Sequence, residues 1–125
     1  MGAKPVMTIE DFFDGVPETA RLMGAVMALL DSIGPFSLRV SKSQIAICRK
    51  KPFAWVWIPG RYLHGMTAPL VLSIAFSTRH PSPRWKEVAP VSKKRLMHHL
   101  ELHTRNDLDD EVAGWLRSAW ESAQA

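Results

Sequence analysis

The sequence predicts an α+β fold, in which N-terminal helices and a C-terminal helix pack on a mostly antiparallel sheet of about five or six strands. Apolar residues recur at helical spacing near both ends of the chain. Between residues 36 and 103, apolar and polar residues alternate instead with a period of two. The length of 125 residues and the apolar content of 46% suit one compact domain, 1–125, with its core at about 8–122.

Two helices are predicted before the first strand. Thr8 and Asp11 have the spacing of a capping box, which begins the first helix, and Gly15 ends it. Pro17 begins the second helix, because proline lacks only an amide hydrogen that a first helical turn leaves unpaired. The Gly-Pro pair at 34–35 stops this helix. Its apolar stripe comprises Leu22, Val26, Leu29, Leu30 and Ile33.

Six segments have the composition or the alternation of strands. They are FSLRVS (36–41), QIAIC (44–48), PFAWVWIP (52–59), LVLSIAFS (70–77), WKEVAPV (85–91) and LMHHLELHT (96–104). Pro90 predicts that the fifth segment is an edge strand or carries a bulge, because proline cannot donate to a strand ladder. Asn106 is predicted to cap the last helix. The apolar stripe of that helix comprises Leu108, Val112, Trp115, Leu116, Ala119 and Ala123.

Positive charge is concentrated in the predicted sheet. Residues 34–105 hold thirteen lysines and arginines against Glu87 and Glu101, whereas the whole chain has a net charge of only +4. Such a region attracts polyanions, so an anionic ligand or nucleic acid is a candidate partner. A simple meander, however, divides the cations between the two ends of the sheet and weakens the nucleic-acid hypothesis. It places Lys42, Arg61, Lys93, Lys94 and Arg95 at one end and Arg49, Lys50, Lys51, Arg79, Arg84 and Arg105 at the other.

The third strand segment is apolar on both sides. Period-two alternation places Phe53, Trp55 and Trp57 on one face. We expect a central strand whose tryptophans pack in the core, because the neighbouring segments offer isoleucines and leucines. The alternative is that the tryptophans form a ligand or partner surface. Three short helices do not obviously cover two apolar faces, so a second subunit, as in a homodimer, is a further candidate cover.

The last strand segment is rich in histidine. Alternation places His99, Glu101 and His103 on one face and His98 on the other. Two histidines at this spacing can converge on one metal ion, but all three positions span about 13 Å, too far for one ion without a bend. We therefore favour a hydrated outer face, a hydrogen-bonded core histidine at 98, and no metal or cofactor. Cys48 lies in an apolar segment and is expected to be a buried, inert thiol.

Several classes of protein are disfavoured by what the sequence lacks. One cysteine excludes a disulfide within the chain and suits a reducing compartment. The N-terminal stretch has no apolar signal core, and no stretch approaches the roughly 18 apolar residues of a membrane span. We expect a cytoplasmic protein with no membrane partner. The sequence contains no glycine-rich phosphate loop and no G-x-S-x-G motif, and it leaves open whether the protein is an enzyme.

Five motifs together are similar to one family. IEDFFDG, RVSKSQIAICRKKPFAWVW, SPRWKEV, MHHLEL and DLDDEVAGWLRSAWE resemble the DUF5655 group of small bacterial domains. The resemblance runs from about Thr8 to about Glu121 and implies a compact, bacterial, cytoplasmic domain. It implies no known activity or substrate, so it assigns no catalytic residues.

We predict a ligand site among polar and aromatic residues of the sheet region: Arg39, Lys42, Gln44, Trp55, Arg84, Lys86, His98 and His99. The function we favour is a non-enzymatic binding module for an anionic ligand or partner. The first alternative is a homo-oligomerising interaction domain. The second is a small metal-dependent or histidine-based enzyme.

Overall fold

The computed structural model of the chain describes residues 7–124. Residues 1–6, which belong to the stretch that predicted the absence of a secretion signal, and residue 125 lie outside the described residues. Within 7–124, six strands form one antiparallel sheet accompanied by three α-helices, which confirms the predicted α+β class. The helices are α1 (Ile9–Phe12), α2 (Pro17–Asp31) and α3 (Asp110–Ser122), and the strands are β1 (Ser37–Val40), β2 (Ile45–Cys48), β3 (Pro52–Trp57), β4 (Leu70–Phe76), β5 (Trp85–Ser92) and β6 (Arg95–Leu102).

The predicted starts of the first two helices are confirmed. The Thr8 side chain accepts from the backbone N–H of Asp11, and the Asp11 carboxylate accepts from that of Thr8. Pro17 is the first residue of α2. The prediction for the last helix is wrong, because Asn106 lies in a short 3-10 turn and α3 is capped by Asp109, whose carboxylate accepts from the N–H of Val112. Several polar residues in succession compete as caps there, and spacing alone does not choose among them.

The strands do not form the expected simple meander. Their spatial order is β1-β2-β3-β4-β6-β5, so β6 lies between β4 and β5. Residues 77–84 run from the end of β4 to the opposite end of the sheet, where β5 begins with Trp85 paired to Leu100. The prediction for Pro90 is confirmed, because β5 is an edge strand and its pairing with β6 shifts register between Pro90 and Ser92.

The hydrophobic core lies between one face of the sheet and the helices. Alternate residues of the central strands, such as Val56, Leu72 and Leu100, are buried in it together with Val26 of α2 and Leu116 of α3. Within the described residues, the buried apolar side chains of all three helices pack against this face of the sheet. We call the other side of the sheet the open face. Antiparallel sheets commonly pack one face and leave the other in water.

A bulge at the start of β3 separates Phe53 from the two tryptophans. Ile47 pairs with Ala54, but Cys48 pairs with Pro52, so Phe53 is an extra residue in the ladder. Phe53 belongs to the core and is 2% exposed, whereas Trp55 and Trp57 are half-buried and lie outside the core cluster. The expectation that these three aromatics share one face, and the preference for tryptophans packed in the core, are therefore both wrong.

Candidate functional site

One row of side chains crosses the whole open face. Residues directly opposite each other on paired strands point to the same side of a sheet. Starting from Trp55, the register connects Ala46 of β2 and Arg39 of β1 in one direction, and Ser73, His99 and Glu87 of β4, β6 and β5 in the other. The row therefore runs from a cation at the β1 edge, through an aromatic ring and an imidazole, to a carboxylate at the β5 edge.

A buried hydroxyl connects Trp57 to His99 at the centre of this face. The indole Nε1–H of Trp57 donates to Ser73 Oγ at 3.0 Å, and Ser73 Oγ lies 2.6 Å from His99 Nδ1. The Trp57 and His99 rings meet edge to face, with centroids 6.0 Å apart. Ser73 is 2% exposed, so it fixes the orientation of both rings from beneath.

Burial favours the neutral form of the His99 imidazole. Burial against the sheet lowers the pKa of His99, and the nearby Glu87 carboxylate opposes this only in part. A neutral ring can accept the hydroxyl hydrogen of Ser73 at Nδ1. Ser73 also accepts from Trp57, so it serves here as a link between two rings that positions them.

Arg95 covers Trp55 at the edge of the open face. Its guanidinium carbon lies 5.2 Å from the centre of the indole ring, and its Nη2 donates to the backbone oxygen of Pro52 at 2.9 Å. Tyr62 lies beside Trp57, the second tryptophan of β3, with ring centroids 6.4 Å apart. Trp55 and Trp57 are therefore the centre of a continuous aromatic and cationic patch.

The observed strand order gathers most cations at one end of the sheet, which corrects the even division expected from a meander. β5 runs antiparallel to β6, and its last residues pair with the first residues of β6. The β5–β6 turn therefore lies at the same end of the sheet as the β2–β3 turn. We call this the basic end. Its seven cations are Arg49, Lys50, Lys51, Arg79, Lys93, Lys94 and Arg95. Lys42, Arg61, Arg84 and Arg105 lie at the opposite end.

A cleft of about 460 Å³ opens at the basic end, beside the C-terminal turns of α3. Lys51, Lys94, Arg95 and His80 line it. Arg95 also lies over Trp55, so it joins the cleft to the open face. A cavity of this volume suits a small ligand or part of a larger one.

Most of the charge at the basic end is not neutralised within the protein. Among residues 7–124, the ion pairs join Arg84 to Asp109 and Glu111 at 2.9 Å, and His103 Nε2 lies 4.0 Å from Glu101 Oε1. None of these contacts involves the seven cations. Five of the seven are exposed: Lys50, Lys51, Arg79, Lys93 and Lys94. A group of cations without acidic partners makes the local electrostatic potential positive and attracts anions.

The larger cavity of about 600 Å³ has a different character. It lies between α2 and the opposite end of the sheet, and its charged lining residues are Glu18, Arg21 and Arg105, with His103 beside them. Since these charges have both signs, this cavity does not select for anions as the basic end does.

A family model described as a domain of unknown function, DUF5655, matches residues 9–123, which is nearly the whole chain. The chain belongs to the DUF5655 family. This confirms the resemblance found in its motifs. No curated protein and no solved structure matches the chain.

In this DUF5655 domain, three of the sequence-predicted site residues share the open face: Arg39, Trp55 and His99. The structure does not bring the other five to them. Lys42 and Gln44 lie in the exposed β1–β2 turn. Lys86 is exposed on the edge strand β5, where the register shifts between Trp85 and Glu87.

Arg84 is engaged inside the protein. Its guanidinium donates to the carboxylates of Asp109 and Glu111 and, through Nη2, to the backbone oxygen of Asp107 at 2.9 Å. These bonds to carboxylates raise the pKa of Arg84 further. Arg84 therefore ties the 77–84 connection to the start of α3.

His98 faces the core, as its place in the alternation predicted. It is 0% exposed, and its Nε2 accepts the backbone N–H of His80 at 3.0 Å. Its Nδ1 lies 3.2 Å from the backbone oxygen of Leu96, to which it donates. Burial lowers the pKa of His98 and so favours the neutral ring, in which Nδ1 donates and Nε2 accepts a hydrogen bond.

The histidines on and directly after β6 do not support the hypothesis of a metal site. No group of three or more histidine, cysteine, aspartate or glutamate side chains in the described part of the chain is arranged to hold a metal ion. His103 lies beyond the end of β6 and reaches Glu101 only at 4.0 Å. Cys48 is buried, as expected.

Five residues of this region were not among those predicted from the sequence: Ser73, Trp57, Arg95, Lys51 and Lys94. Trp57 carried a signal, because it stands two residues after Trp55 on a strand. Lys51 lies in the β2–β3 turn, whereas Lys94 lies in the β5–β6 turn and Arg95 directly after it. These turns are distant along the chain, and only the strand order brings them to one end of the sheet.

Over residues 7–124, no helix is long and apolar enough to cross a bilayer.

Proposed function

We propose that this DUF5655 domain is a bacterial, cytoplasmic, non-enzymatic module that binds an anionic ligand or partner at its basic end. The observation that carries the proposal is the meeting of the β2–β3 and β5–β6 turns at one end of the sheet. Seven cations lie at this end, none of them in an ion pair within residues 7–124, and three of them, Lys51, Lys94 and Arg95, line a cleft there. The single buried thiol of Cys48 supports a reducing, cytoplasmic location.

Flexible, exposed lysines suit a polyanion better than one small anion. Lysine is a mobile, strongly hydrated point charge, whereas a fixed carboxylate or phosphate pocket commonly uses the planar fork of arginine. The lysines at 50, 51, 93 and 94 are all exposed. Arg49 is already used, since it donates to the backbone oxygen of Trp120 and stacks on that indole at 3.5 Å.

The test measures binding of inorganic polyphosphate by calorimetry at several salt concentrations. The variant Lys51→Gln/Lys93→Gln/Lys94→Gln removes three charges from the basic end. We expect it to lose most of the affinity and to lower the slope of log K against log salt by about 2, since each phosphate contact contributes about 0.7 for a single-stranded polyanion.

The matched control removes three charges elsewhere: Lys42→Gln/Lys86→Gln/Arg105→Gln. This control has the same net charge as the basic-end variant, so it should keep most of the affinity if the position of the charges matters. A larger loss in the control than in the basic-end variant would move the site to the opposite end. Absence of polyphosphate binding at about 50 mM salt would refute the proposal.

Homo-oligomerisation is a second candidate, favoured by the charges of the open face. Arg39 lies at the β1 edge of that face and Glu87 at the β5 edge, in the same row. A two-fold axis parallel to the strands would place Arg39 of each copy opposite Glu87 of the other. Sedimentation equilibrium tests it, and a species that stays monomeric at high concentration would exclude it.

A further inference from the structure

We propose that the ligand is single-stranded nucleic acid, with bases stacked on Trp55 and Trp57 of the open face and phosphates held by Arg39, Arg95 and the lysines of the basic end. This inference rests on the proposed anion binding. It adds what a generic polyanion lacks, namely planar aromatic bases.

The two tryptophans have the spacing that successive bases need. Trp55 and Trp57 stand two residues apart on β3, which places their side chains about 7 Å apart on the same face. Both are half-buried and lie outside the core. Aromatic side chains on a surface that also carries cations are the common platform for single-stranded nucleic acid, since every base has a stacking face.

The Trp57 ring is oriented before any ligand arrives. Its indole N–H is bonded to Ser73, and His99 meets it edge to face. A ring that is already fixed loses little rotamer freedom on binding, so more of the stacking energy appears as affinity.

The charges of the open face define one path for the phosphates. Arg39 lies two strands from Trp55 on one side, at about 10 Å, and Arg95 lies over Trp55 itself. Glu87 and Glu101 lie on the far side, beyond the central strand β4. Phosphates are therefore drawn along β3 towards the basic end and repelled from the part of the open face that carries Glu87 and Glu101.

Arg95 can exchange its contact on Trp55 for a phosphate. An exposed cation–π contact is worth roughly two- to fivefold in affinity. Stacking a base on an aromatic side chain is worth roughly ten- to a hundredfold. A base that takes the place of the guanidinium on Trp55 therefore gains more from stacking than the loss of the cation–π contact costs.

A duplex offers this surface no free base to stack on. Its base faces are stacked inside the helix, and proteins read it by inserting a helix or a two-stranded ribbon into a groove. The open face is instead one side of a six-stranded sheet. Stacking on tryptophan needs bases that are free on at least one face, which a single strand offers.

The test compares four probes by fluorescence titration: a single-stranded oligothymidylate of about twelve nucleotides, the matching duplex, inorganic polyphosphate and thymidine monophosphate. We expect the single strand to bind at least about tenfold more tightly than polyphosphate or the duplex and to quench tryptophan emission. Trp57→Ala should lower affinity for the single strand about tenfold or more and leave polyphosphate affinity unchanged. Trp57→Phe, which keeps an aromatic face, should stay within about threefold.

A matched pair of charge variants tests the path. Arg39→Gln, on the open face, should weaken the single strand, whereas Lys42→Gln, three residues further along in the exposed turn, should not. If Trp57→Ala proves unfolded, the contrast between Arg39→Gln and Lys42→Gln and the quenching of the unmodified protein still decide the question.

Each other outcome overturns the inference in a distinguishable way. Equal affinity for polyphosphate and the single strand, with Trp57→Ala neutral, leaves anion binding standing but removes the base platform. Monophosphate binding as tight as the strand assigns the site to free nucleotides. Binding of no probe removes the proposed function as well. A dimer that Trp57→Ala dissociates, without nucleic-acid binding, makes the open face a subunit interface.

Discussion

Gly34 makes room for Trp120, so adding one methyl group there should be costly. A Cβ atom built on Gly34 would lie 2.3 Å from Trp120 Cζ2. Since carbon contacts become favourable only at roughly 3.5 Å, the indole must retreat by about 1 Å. Two interactions resist this movement: the Trp120 N–H donates to the Pro35 oxygen at 2.8 Å, and Arg49 stacks 3.5 Å from the ring centre. We expect Gly34→Ala to cost about 1–3 kcal/mol of unfolding free energy.

The same substitution at Gly24 should have the opposite sign. Gly24 is exposed in the middle of α2, and a Cβ there would have nothing within 4 Å. Gly24→Ala should therefore stabilise the protein by about 0.5–1 kcal/mol, since glycine is entropically unfavourable in a helix.

Urea denaturation monitored by circular dichroism measures both effects. With a slope of about 1.5 kcal/mol/M, a loss of about 2 kcal/mol lowers the midpoint by about 1.3 M. In a Trp120→Leu background, Gly34→Ala should cost much less, because the flexible leucine can give way. Equal shifts for Gly34→Ala and Gly24→Ala, or an undiminished cost without the indole, would refute the close approach of Gly34 and Trp120.

The remaining predictions concern charge. Burial lowers the pKa of both His98 and His99, so the unfolded chain binds more protons as the pH falls through the ordinary histidine pKa of about 6.5. The full stability of the folded protein is therefore present above about pH 6.5 and is lost progressively below it. The urea midpoint should fall as the pH is lowered from about 8 to 5.5, and it should fall less in His99→Gln. A midpoint that does not change with pH would contradict this. Arg84→Gln should cost about 1 kcal/mol at low salt and less at high salt, because its ion pair with Asp109 is partly exposed. It should leave polyphosphate binding unchanged, and a large loss of binding would show that Arg84 contacts the ligand.

Local patterns in the sequence predicted most of the elements correctly. The capping box at Thr8, the start of α2 at Pro17 and the edge position of the strand that contains Pro90 depend on neighbouring residues only, and all three are confirmed. The alternation in β6 also placed His98 on the core side and His99 on the other face. These features follow from backbone geometry that repeats every two or 3.6 residues.

The environment of the tryptophans could not be predicted in this way. Alternation shows that Trp55 and Trp57 share a face, but it does not show which side the helices cover. The register pairs Trp55 with Ser73, so the tryptophans lie on the open face with His99. The bulge that turns Phe53 into the core also depends on the pairing of β2 with β3.

The sequence by itself determined the α+β class, the order of the elements and the concentration of cations in the sheet region, because propensity, periodicity and charge are properties of short segments. Only the tertiary structure decided that β6 lies between β4 and β5, which brings Lys51 and Lys94 to one end of the sheet. The physical reason is that strand order and register are set by contacts between residues distant along the chain. Packing the helices on one face, and leaving Trp55 and Trp57 on the other, is a choice of the same non-local kind.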